Sequence, residues 1–144
     1  MTLIEERLGR PDVEASAAEP VVDVSGRQLS RRWVAVLSGA WVTIFTLGVA
    51  VEPSSAGEEA YPLVGTLLAL ALLGSWATMV SGFLRGRRYG AVASVAGAAC
   101  LVGMTVGCPL SGHHAGIGAW WGVQLVGSLM LLGLGRAALR STSR

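Results

Sequence analysis

The chain has 144 residues, 52% of them hydrophobic and 14% charged, with a formal net charge of +2 and a mean hydropathy of +0.57. Disorder needs lower hydrophobicity and more charge, and a soluble domain usually draws roughly 25% of its residues from the charged types. Two cysteines are too few for a disulfide-built secreted module, so the composition points to an integral membrane protein with the lipid bilayer as its surroundings.

All 11 basic residues are arginine, and Ala, Gly, Val and Leu dominate the remainder. That bias fits a GC-rich bacterial genome. Residues 1–32 carry five arginines against six acids, and Pro11 to Pro20 is rich in Ala, Pro and acid without an apolar period. This segment reads as a disordered cytoplasmic tail. It does not read as a signal peptide, because the apolar run starts too late and no small-residue cleavage site follows.

The rest, residues 33–144, reads as an all-α bundle of four transmembrane helices. The expected spans are about 33–51, 62–84, 90–108 and 117–139. Each has roughly the 17–25 residues an α-helix needs to cross the hydrocarbon core. The runs are apolar on every face, whereas a barrel strand alternates with period two.

Charge orients the bundle. Arg31 and Arg32 precede span one, Arg85, Arg87 and Arg88 follow span two, and Arg136, Arg140 and Arg144 end the chain. The connection from Glu52 to Tyr61 instead holds Glu52, Glu58 and Glu59 and no base. The positive-inside rule puts the arginines, and hence both termini, in the cytoplasm. These bases suit anionic lipid, and the charge is not read as nucleic-acid binding. Trp33, Tyr61, Tyr89, Trp120 and Trp121 lie near span ends as interfacial anchors, while Trp41 and Trp76 lie deeper, packed between helices or facing lipid.

Helices in lipid associate through close packing and interhelical hydrogen bonds. Small residues at spacing four occur at Gly74, Thr78 and Gly82, at Gly90, Ser94 and Ala98, at Ala93 and Gly97, at Gly103 and Gly107, and at Gly118 and Gly122. Span three has the smallest side chains and is expected at the centre. Gln124 is the strongly polar side chain within a span, expected to point at another helix as an interhelical contact.

One connection carries candidate chemistry. Cys108, His113 and His114 lie within seven residues on the side of the acidic connection, and they include both histidines of the chain. Thiolate, imidazole and carboxylate are ligands for Zn or Cu, so a metal site from Cys108, His113 and His114, with Glu58 or Glu59 added, is conceivable. The spacing is not an established zinc pattern. Alternatively Gly112 and Gly116 make a tight turn carrying interfacial histidines, or the histidine pair senses pH against Glu58 and Glu59. Cys100 and Cys108 are poorly placed for a disulfide, being about 12 Å apart along a helix axis.

The string Cys108-Pro109-x-Ser111-Gly112-His113-His114, followed by Gly118-x-Trp120-Trp121-x-x-Gln124, resembles a segment of uncharacterised small four-span membrane proteins of actinobacteria. The resemblance covers about 20 residues of the C-terminal third. It implies a bacterial plasma-membrane location and no particular activity.

Three functions compete: a noncatalytic accessory subunit with a membrane-protein partner or a second copy of itself, a metal or redox protein using the Cys/His connection, and a small transporter or channel. Small size and glycine-bearing helix faces favour the first, which expects no cofactor. A transporter usually shows intramembrane ionisable groups or broken helices. No Ser/His/Asp set, phosphate loop or paired carboxylates suggest an enzyme.

Overall fold

The computed structural model describes residues 28–53, 63–110 and 117–142. Four helices form: α1 Arg31–Val51, α2 Leu63–Leu84, α3 Arg88–Leu110 and α4 Ala119–Ser141. Each is long and apolar enough to span a membrane. At 1.5 Å per residue they reach roughly 30–35 Å, matching the hydrocarbon core. The described residues are therefore all-helical in their regular structure, and their four apolar helices make the chain a small membrane protein. Its large outward side chains fit that surrounding: Val42, Leu63 and Leu73 are all more than 60% exposed, a surface that water would penalise.

The helix limits differ from the expected spans mainly where arginine or proline stands. α1 and α3 begin on arginines that the expected spans excluded. An arginine at a helix end can lay its stem along the helix and keep its head in the interface. At its other end α3 runs through Pro109 to Leu110.

α2 turns into α3 through Arg85–Arg87. Gly86 takes φ +60, a conformation that disfavours a side chain. Its N–H donates to Phe83 O at 3.0 Å and the Arg87 N–H donates to Gly82 O at 2.8 Å. Those two bonds form a Schellman closure, which satisfies carbonyls the helix end would otherwise orphan. The carbonyl of Gly86 in turn accepts from Leu29 N at 2.8 Å, and Gln28 bridges Arg87 in antiparallel fashion. Leu29 is 4% exposed and belongs to the core. Residues 28–32, expected to be tail, are thus part of the folded unit: Gln28 and Leu29 are pinned to the α2–α3 turn, Ser30 caps α1 and Arg31 opens it. Residues 1–27 lie outside the described residues.

α3 packs on α2 and on α4, and α4 packs on α1. Close approach occurs where glycines meet backbone or branched side chains. A Cβ on Gly82 would run into the Gly90 backbone, one on Gly127 would lie 2.6 Å from Ile44 Cγ2, and one on Gly135 would lie 2.7 Å from Val95 Cγ2. α1 and α2 are bridged by rings: Trp41 and Trp76 meet edge to face at 5.9 Å, and Phe45 meets Trp76 at 4.7 Å. Trp41 is buried, and its Nε1 donates to Ser94 Oγ of α3 at 2.8 Å. Its ring edge rests on Gly97, where a Cβ would lie 3.1 Å away. Trp41 therefore joins α1, α2 and α3 around one side chain.

Among the described residues the charges separate. Arg31, Arg32, Arg85, Arg87, Arg88, Arg136 and Arg140 share one end of the bundle, and Glu52 stands at the other.

Candidate functional site

One turn beyond Trp41, toward the Glu52 end, the helices enclose a cavity of about 270 Å³. All four contribute walls. α1 supplies Ile44, Phe45, Gly48 and Val49, with Glu52 just past its end, and α2 supplies Leu72. α3 adds Leu101, Met104, Thr105 and Cys108, and α4 adds Gln124 and Ser128. The i, i+4 spacing of Met104 and Cys108 puts both sulfurs on one face of α3.

Gln124 sits at the polar end of this cavity. Its Nε2 donates to Gly48 O at 3.3 Å and to Glu52 Oε2 at 3.4 Å. Both acceptors belong to α1, so the amide ties α4 to the far end of α1. Two acceptors on one amide atom identify that atom as the nitrogen. Ser128 Oγ donates to Gln124 O at 2.7 Å, and Thr105 Oγ1 donates to Leu101 O at 2.8 Å. Both are bonds back to the carbonyl one turn earlier, so their hydrogens are held within their own helices.

A second polar contact closes the wall between α3 and α4. Trp121 Nε1 donates to Thr105 O at 2.8 Å. Within a helix that carbonyl would normally accept from residue 109, which is proline and has no N–H. The indole supplies the missing donor, and α3 continues through Pro109. Trp121 is thus a structural donor as well as a residue near a span end. Tyr89, at the opposite end, shares a hydrogen bond of 3.1 Å with Ser81 Oγ of α2.

Of the sequence-derived metal candidates, Cys108 lines the cavity beside Glu52. His113, His114, Glu58 and Glu59 lie outside the described residues. Among the described residues no three His, Cys, Asp or Glu side chains are grouped to hold an ion. Cys100 is not part of the cavity wall, and the two cysteines are not joined in a disulfide. The pairing of Glu52 with Gln124 was not foreseen from sequence: 72 positions separate them, and no spacing rule links residues at the ends of α1 and α4. The cavity brings together an acid, an amide, two hydroxyls and a thiol over an apolar floor. Such a site can orient a small ligand.

No family model matches the chain, and comparison with curated proteins and with solved structures finds no match.

Proposed function

We propose that the chain is a multi-pass protein of the bacterial plasma membrane, with both termini in the cytoplasm. In this reading it serves as a noncatalytic accessory subunit of a larger membrane assembly. One observation carries the reading. Positions for a Cβ on Gly39, Gly74, Gly122 and Gly133 meet nothing within 4 Å. These small residues are not consumed by packing inside the bundle. In lipid, small residues let helix backbones approach closely, so the unused ones suit helices of a partner. The test is mild solubilisation of the native membrane and isolation of the tagged chain. A defined larger complex is expected; a monodisperse, partner-free monomer overturns the reading.

A second reading is favoured by Cys108 sharing a cavity wall with Glu52. Zn or Cu would be held there by Cys108 with His113 and His114, which follow it by five and six positions in the sequence. Protein purified without chelator would then retain near-stoichiometric metal, lost on His113→Ala plus His114→Ala. Metal-free protein excludes this reading.

A further inference from the structure

The polar lining of the cavity is almost wholly made of acceptors. A hydroxyl has one hydrogen and an amide nitrogen has two. The Ser128 hydrogen goes to Gln124 O and the Thr105 hydrogen goes to Leu101 O. Both Gln124 hydrogens go to Gly48 O and the Glu52 carboxylate. What these side chains can still offer a ligand is oxygen lone pairs: Thr105 Oγ1, Ser128 Oγ and Gln124 Oε1. Glu52 is the one charged residue among the lining residues, and it is negative. Cys108 lines the same wall. The remaining wall is apolar, with the Phe45 ring among it.

A ligand that complements this lining brings donors and positive charge at one end and apolar surface at the other. We propose that the cavity binds a small organic ammonium compound. Its charged N–H group sits at the Glu52–Gln124 pair and its apolar body lies against Phe45, Leu101 and Met104. Anions meet the Glu52 carboxylate and mostly acceptors there and are disfavoured. A neutral alcohol has one hydrogen to donate and forgoes the charge-assisted bond. The cavity, about 270 Å³, is below the range of roughly 300–1,000 Å³ typical of drug-sized ligands, which selects compact amines. The inference goes beyond the accessory reading and does not depend on it.

The test uses the full chain in phosphatidylcholine nanodiscs, titrated calorimetrically at pH 7.5 against empty discs. The probes are 2-phenylethylamine, its isostere 2-phenylethanol and 3-phenylpropionate. Saturable one-site binding of the amine is expected, about tenfold tighter than the alcohol, with the propionate weaker still. Glu52→Gln removes the charge on an exposed side chain and should weaken the amine about tenfold, leaving the alcohol unchanged. Met104→Trp fills the cavity and should remove binding of both. Equal affinity for amine and alcohol overturns the proposal. So does amine affinity unchanged in Glu52→Gln, or heat indistinguishable from empty discs.

Discussion

The indole nitrogen of Trp121 donates to the carbonyl of Thr105, the same carbonyl that Pro109 leaves without a helical donor. A helix interrupted by proline within a membrane must have its freed carbonyl satisfied by a neighbour, and here the neighbour is the first turn of α4. The arrangement couples two features of the sequence twelve positions apart, Pro109 and Trp121. It explains why α3 extends past the residue before its proline.

That coupling can be measured. Trp121→Phe keeps the ring and removes the donor, and should cost about 1 kcal/mol. Pro109→Ala returns a backbone N–H to Thr105 O. In the Pro109→Ala background, Trp121→Phe should cost at least about 0.5 kcal/mol less. Unfolding of the four proteins in detergent by SDS titration gives the cycle. Strict additivity would show that the indole does not replace the proline's missing N–H.

Trp41 and Ser94 make the corresponding contact in the middle of the bundle, at 2.8 Å and away from solvent. Ser94→Ala orphans a buried indole N–H and should lower stability by about 1 kcal/mol. Ser94→Leu adds bulk to a fully buried position and should cost more, about 1–3 kcal/mol. Trp41→Phe in the Ser94→Ala background should add less than it does in the wild type, because the orphaned donor is then gone. The same SDS titration reads these four variants against wild type.

The glycines divide by what surrounds them. Gly82→Ala drives a Cβ into the Gly90 backbone, which no side-chain rotation can relieve. It should destabilise by about 1–3 kcal/mol, the usual range for overpacking. Gly39→Ala points into open space and should stay within about 0.5 kcal/mol of wild type. If both substitutions were equally tolerated, the close approach of α2 and α3 would be wrong. If Gly39→Ala left stability intact but dispersed a native complex, the accessory reading would gain a contact point.

Much of the fold was legible because two signals were independent of packing detail. The length of each apolar run set four helices, and the arginines separated one end from the other. Gly90, Ser94 and Ala98 were likewise readable as a packing ridge, and all three are buried in α3. Which small residues meet a partner was less readable. Gly74 and Gly122 share the spacing of Gly82, yet a Cβ there would meet nothing within 4 Å, while one on Gly127 or Gly135 would meet Ile44 or Val95. Spacing says which residues share a face; helix rotation decides what that face meets. A glycine pair eight positions apart was a signal that spacing-four patterns passed over. Leu29 and Gln28 were unreadable for another reason. Their partner is the Gly86–Arg87 turn, and a polar flank before a span looks the same whether or not it pairs. The cavity falls in the same class, since Glu52 and Gln124 converge only once α1 and α4 are packed.

The central claim is a four-span protein whose arginine-bearing end faces the cytoplasm. Single cysteines in a Cys100→Ala, Cys108→Ala background test it most directly. Gln28→Cys stands at the arginine end and Leu110→Cys at the Glu52 end, and both positions are exposed. A membrane-impermeant maleimide applied to whole cells should label Leu110→Cys, and should label Gln28→Cys only after permeabilisation. Labelling of Gln28→Cys in intact cells with Leu110→Cys protected would contradict the orientation, and labelling of both from one side would contradict the membrane-spanning fold itself.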